Sequence, residues 1–184
     1  MMNLPNILTI FRMAMVPVFI VLMLLDMPLA ALIVFAVASI TDKLDGYLAR
    51  KNNQVTVFGK FMDPLADKLL VMSAFLLFQH LGMMHVVFVF VILAREFIIT
   101  SLRVLAIEAG IVLPAGISGK IKTAVQMTTI CLMLGVAWLS ESTLPGLPAA
   151  LINQICSWVM LAVTVWSGAD YIWTQRALFD PKRK

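Results

Sequence analysis

This sequence predicts an all-α integral membrane protein, and three observations carry that expectation. Hydrophobic residues make up 61% of the 184 residues, and charged residues only 13%. Mean hydropathy is +0.97. The apolar residues are gathered into long runs with most of the charges at their ends. No soluble domain of this size has an interior large enough to hide that much apolar surface, so a bilayer must receive it. The length allows about six spans of about 20 residues each. The net charge of +4 is scattered over span ends. It forms no basic face, which argues against a nucleic-acid partner.

Taken in order, Met1 to Thr9 contains Pro5 and the polar residues Asn3, Asn6 and Thr9. It reads as an interfacial segment lying along the membrane. It has neither a basic leader nor a small-residue cleavage site, so the first apolar run is expected to remain a membrane element. The first helix is expected from about Ile7 to Leu25, with Arg12 near its start. Asp26-Met27-Pro28 forms a tight turn, and the second helix runs from about Leu29 to Arg50. A basic loop, Arg50 to Lys60, leads to a third helix over about Met62 to Gln79. Pro64 then falls in its first turn, where a missing N–H does no harm. His80-Leu81-Gly82 turns the chain into a fourth helix, about Met84 to Glu108. Ala109 to Gly119 is a loop, followed by a fifth helix over about Lys120 to Leu139. The polar stretch Glu141 to Pro148 precedes a sixth helix, about Ala149 to Gln175. There is no internal repeat and no second domain, so residues 1–184 form one domain.

The basic residues set the orientation. Arg50, Lys51 and Lys60 lie in the second connection, Lys120 and Lys122 open the fifth helix, and Arg176, Lys182, Arg183 and Lys184 follow the sixth. The opposite turns hold Asp26, His80, His85 and Glu141 but no Lys or Arg. Positive residues stay inside, so both termini are expected to be cytoplasmic. Cys131 and Cys156 fall within apolar runs and read as buried free thiols.

One stretch is unlike the rest. Asp42, Asp45, Asp63 and Asp67 stand within a short span of an otherwise apolar chain. On a helix, Asp42, Asp45, Gly46 and Ala49 share one strip, and Asp63 and Asp67 share a face of the next. Two such helices, joined by a turn over Lys51 to Phe58, bring four carboxylates to one cleft. Carboxylates that close repel unless a cation sits among them. Oxygen donors alone favour hard ions such as magnesium, manganese or calcium.

The fourth helix carries a second polar group: Arg95, Glu96, Thr100 and Arg103. Arg95 lies roughly 15 Å from the outer end of that helix by the helical rise. A lone guanidinium at that depth is costly, so it is expected to face a polar cavity. Two readings stand side by side. Arg95 and Glu96 form an internal ion pair that fixes packing, or Arg95 and Arg103, with Lys120 and Lys122, bind an anionic group. Guanidinium matches phosphate by paired hydrogen bonds.

The acid stretch matches D-x2-D-G-x2-A-R-x8-G-x3-D-x3-D at every fixed position, from Asp42 to Asp67. In this it resembles the CDP-alcohol phosphotransferases, integral membrane enzymes of phospholipid synthesis. The resemblance implies two divalent ions, Mg2+ or Mn2+, held by Asp42, Asp45, Asp63 and Asp67, with Asp67 also accepting the alcohol proton. It implies nucleotide contacts from the Asn6 to Thr9 stretch and from Thr56. Gly46 and Ala49 lack bulk and let a nucleotide approach, and Arg50 reaches a phosphate. Three further stretches, Pro5 to Arg12, Ala94 to Arg103 and Gly119 to Thr123, are similar to the bacterial branch of that family that makes phosphatidylglycerol phosphate. That branch implies glycerol 3-phosphate attacking CDP-diacylglycerol, a homodimer, and a bacterial inner membrane with the active site facing the cytoplasm. Two alternatives stay open: another acceptor (inositol phosphate, serine or phosphatidylglycerol), or a divalent-cation carrier. Against the carrier, all four acids lie near one membrane face, with no acid chain continuing across.

Overall fold

The structure is a computed structural model. It describes residues 4–51, 57–108 and 116–176, with side chains at all of these except 4–6, 42–51, 57–61, 63–64, 67 and 107–108. Six helices make up the described chain: α1 (Leu4–Leu24), α2 (Pro28–Lys51), α3 (Val57–His80), α4 (Val86–Glu108), α5 (Ile117–Ser142) and α6 (Ala149–Thr174). No strand occurs among the described residues.

The packing order places the site. α1 lies against α2 and α3, α2 against α5, α5 against α6, and α6 against α4. α4 touches α3 only lightly. A space therefore opens among α2, α3, α4 and α5, because α4 is held chiefly from the α6 side. The core elsewhere is apolar. Phe19, Phe35, Phe75, Phe78, Ile92, Met133 and Met160 are fully buried. The Phe19 and Phe35 rings meet at 5.9 Å between centroids and tie α1 to α2.

Burial runs opposite to that of a soluble protein. The surface shows Phe90 (70% exposed), Ile117 (76%) and Trp173 (72%), while Arg12, Thr9, Thr164 and Ser167 are completely buried. Apolar surface turned outward with polar groups turned inward is what a hydrocarbon solvent selects. Three helices are long and apolar enough to cross a bilayer: Ile7–Leu24, Ile117–Ser142 and Ala149–Thr174. Pro28–Thr41 and Lys68–His80 are shorter apolar helices. The fold is that of an all-helical membrane protein.

Four boundaries differ from the sequence reading. α1 begins at Leu4, so residues 4–9 are helical and continuous with it. Pro5 stands in the opening turn, where its missing N–H has no intrahelical acceptor to satisfy. α3 begins at Val57, so Pro64 lies two turns inside it and not in its first turn. α5 starts at Ile117 and continues through Glu141 to Ser142. Helices persist into the polar layer at a membrane face, because water and headgroups satisfy their exposed carbonyls; an apolar run marks only the hydrocarbon part. The turns agree better. Asp26 takes φ 52°, a left-handed conformation that aspartate tolerates. His85 Nδ1 accepts the Val87 N–H at 3.3 Å, giving one orphan donor of α4 a partner.

Candidate active site

A cavity of about 690 Å³ fills the space among the four helices. Its walls are Ser39 and Ile40 of α2, Lys68 of α3, Arg95, Glu96 and Arg103 of α4, and Lys120 of α5, with Gly116 and Gly119 at the head of α5. Ser39 stands one turn before Asp42, and Lys68 directly follows Asp67. The cavity thus adjoins the backbone that carries both acid pairs. Asp42, Asp45, Gly46, Ala49 and Arg50 lie in the last turns of α2, and Asp63 and Asp67 in the first three turns of α3. Their side chains, and that of Asn6, lie outside the described residues, as does Thr56 altogether. Thr9 is fully buried in α1, one turn before the fully buried Arg12, and both have partners within the fold.

An ionic network forms the cavity's inner wall. Arg95 Nη1 donates to Glu96 Oε1 at 2.9 Å, and Arg95 Nη2 donates to Ser167 Oγ of α6 at 2.7 Å. Lys122 Nζ donates to the same Glu96 oxygen and to Gln126 Oε1, one turn further along α5. Glu96 therefore binds two cations from two helices. Such company is what makes a carboxylate tolerable in a low-dielectric interior. α6 comes close because position 168 is glycine. A Cβ there would stand 3.3 Å from the Arg95 stem. At Gly135 of α5, by contrast, a Cβ would have nothing within 4 Å. Gly135 is not required for close approach.

The four cations expected to hold an anion are placed unequally. Arg95, Arg103 and Lys120 line the cavity. Lys122 lies behind Glu96 and is only 2% exposed. Arg103 stands over the Tyr171 ring at 5.7 Å, which orients an otherwise exposed side chain. Arg95 thus pairs with Glu96, as the first reading expected, and it also lines the cavity. Asp170 accepts a 2.5 Å hydrogen bond from Ser118 and fastens α6 to the start of α5. Cys131 and Cys156 are free thiols.

Two participants were missed. Lys68 reaches across to Thr100 Oγ1 and joins α3 to α4. Ser167 anchors Arg95 from α6. A charge at 68, immediately after an acid and at the head of an apolar run, was a usable signal. Ser167 carried none, since its partner is 72 residues away in sequence.

The fold and site are those of an apolar-surfaced helical membrane protein with a cavity lined by cations beside two acid-bearing helices. Residues 2–166 match the family described as CDP-alcohol phosphatidyltransferase, and the chain belongs to that family. Curated relatives cover nearly its full length. A Bacillus subtilis (strain 168) protein is 38% identical over 93% of this chain and 94% of its own, and is named CDP-diacylglycerol--glycerol-3-phosphate 3-phosphatidyltransferase. Proteins of the same name from Rickettsia bellii and Shigella flexneri serotype 5b are each 36% identical, over 92% and 95% of this chain and 93% and 96% of their own.

Proposed function

We propose that this protein transfers the phosphatidyl group of CDP-diacylglycerol to glycerol 3-phosphate, giving phosphatidylglycerol phosphate and CMP. The observation that carries the reading is one cavity walled by Arg95, Arg103, Lys120 and Lys68 and opening beside the helix ends that bear the four acids. A phosphorylated acceptor needs the cations, and a diphosphate donor needs the acids with their counter-ions. The names borne by the relatives support the same substrate pair.

The donor set suits hard divalent ions: four carboxylates on consecutive helices, both pairs flanking the short 52–56 connection. Asp42, Asp45, Asp63 and Asp67 would hold two such ions, Mg2+ or Mn2+. When bound, these ions supply charge neutralisation for the diphosphate and the departing CMP. The chain's own residues do the rest. Gly46 and Ala49 leave room for the nucleotide along α2, and Arg50, Thr56, Asn6 and Thr9 contact it. Arg95, Arg103 and Lys120 hold the acceptor's phosphate by charge-assisted hydrogen bonds. Lys122, through Glu96, keeps Arg95 in place. Asp67 accepts the proton of the acceptor's primary hydroxyl as that oxygen attacks the lipid-bearing phosphorus. The new P–O bond forms as the bond to CMP breaks, and CMP leaves with the electron pair.

All six helices span the inner membrane of a bacterium in this reading, with both termini and the acids on the cytoplasmic side, where both water-soluble reactants are found. Residues 1–184 act as one domain, and the working unit is a homodimer embedded among membrane lipids. The test is product formation. Purified protein given CDP-diacylglycerol and radiolabelled glycerol 3-phosphate should move label into the lipid phase. Chelation should stop the transfer and added Mg2+ or Mn2+ restore it. Label that stays in water would refute the reading.

A further inference from the structure

The cavity has a floor. A smaller pocket of about 40 Å³ lies beyond it, walled chiefly by Val71, Met72, Phe75, Ile92 and Leu93, with Gln126. Lys68, Glu96, Thr123 and Met127 line both spaces and so form the partition. The inner pocket is too small for a phosphorylated alcohol. An anion entering the large cavity therefore stops at the partition, where Lys68 stands.

Two facts aim this lysine. Its Nζ donates to Thr100 Oγ1, and Thr100 donates its own proton to the Glu96 carbonyl at 2.7 Å. With its proton committed, the Thr100 oxygen is an acceptor, and the ammonium is held at the partition rather than swinging free. Lys68 is also the residue after Asp67 on α3. Arg95, Arg103 and Lys120 come from α4 and α5. The backbone of a cation on α3 keeps a fixed separation from the acids of that helix, and the Thr100 contact holds the Lys68 ammonium at the seam between α3 and α4.

We infer that Lys68 is a specificity-determining residue for the acceptor: it binds the phosphate of a short phosphorylated alcohol whose hydroxyl is presented to Asp67. The inference rests on the cavity being the acceptor site. Lys68 and Asp67 act as the two ends of a gauge. An acceptor needs an anionic group and a hydroxyl separated by about one small carbon chain. An acceptor without the phosphate lacks one end.

The experiment is two-substrate kinetics on the purified full chain in detergent, with inorganic phosphate as a competing probe. Lys68→Ala should raise the KM for glycerol 3-phosphate about 10-fold, the scale of one lost charge-assisted hydrogen bond. The inhibition constant for inorganic phosphate should rise by the same factor. The KM for CDP-diacylglycerol should change less than about twofold. Lys68→Arg should recover most of the loss, and Thr100→Val should act in the same direction but less, with Thr100→Ser close to the parent. Lys68→Met, which keeps the stem, replaces the alanine variant if that one fails to insert. The inference is overturned if these variants lower kcat with both acceptor constants unchanged, or if they weaken the donor instead. A parent protein that releases no CMP with glycerol 3-phosphate would sink the underlying reading first.

Discussion

At the scale of single residues, the proposed chemistry rests on Asp42, Asp45, Asp63 and Asp67. Asp42→Asn and Asp63→Asn should abolish transfer while the protein still inserts, because each removes a charge that a divalent ion needs. Near-normal turnover of either at limiting magnesium would contradict the ion-binding role. Asp67→Asn should cut kcat at least about 100-fold, the range of a lost general base, with CDP-diacylglycerol binding largely retained; equal losses in both would make it chiefly an ion ligand. Glu96 poses a different problem, since it answers to Arg95 and to Lys122 together. Removing the buried Lys122 ammonium strips one of those partners. Lys122→Met leaves Glu96 paired with Arg95 alone and should cost about 1.5–3 kcal/mol, the scale of a hydrogen bond to a charged group, seen as a lower melting temperature in detergent. Adding Glu96→Gln to Lys122→Met should lower the melting temperature further, because the Arg95 guanidinium then loses its carboxylate partner. A double variant as stable as the parent would mean that these pairs do not hold the bundle together.

At the scale of elements, α6 positions α4 rather than merely covering it. Ser167 holds the Arg95 guanidinium, and Gly168 lets the Arg95 stem lie close. Gly168→Ala should push that stem aside and raise the KM for glycerol 3-phosphate, though less than Arg95→Ala. Gly135→Ala should leave kinetics unchanged, since its Cβ enters open space. Matching effects from the two glycine variants would show that the close approach does not matter. The helices themselves were legible from apolar runs and turn residues: all six exist, and Asp26 and Gly82 do turn the chain. Their ends were less so. Pro64 suggested the start of α3, yet α3 begins at Val57, because a proline inside a helix loses one hydrogen bond and tolerates the loss near a water-accessible end. The acid motif, being local in sequence, was legible as a family signature, and the family match over residues 2–166 agrees with it; its side chains lie outside the described residues. The Arg95–Glu96 pairing was legible as one of two options. The Lys68–Thr100 and Arg95–Ser167 bonds were not, because each joins residues brought together only by tertiary packing.

For the whole molecule, the inverted burial pattern explains both where the protein resides and why it has a cavity. Hydrocarbon outside accepts Phe90, Ile117 and Trp173 without penalty. Arg12, Lys122, Gln126 and Ser167 must then find company inside. Lys122 and Gln126 on α5, Ser167 on α6 and Arg12 on α1 keep the bundle from closing into a uniformly apolar core and leave room for the cavity. The central claim is that this room receives a phosphorylated three-carbon acceptor. One measurement tests it most directly: CMP release by the purified protein in micelles of CDP-diacylglycerol, with glycerol 3-phosphate, inositol phosphate, serine and phosphatidylglycerol offered in turn. The account predicts CMP release with glycerol 3-phosphate, matched mole for mole by phosphatidylglycerol phosphate, and little with serine. Rapid release with serine or phosphatidylglycerol, and none with glycerol 3-phosphate, would contradict it.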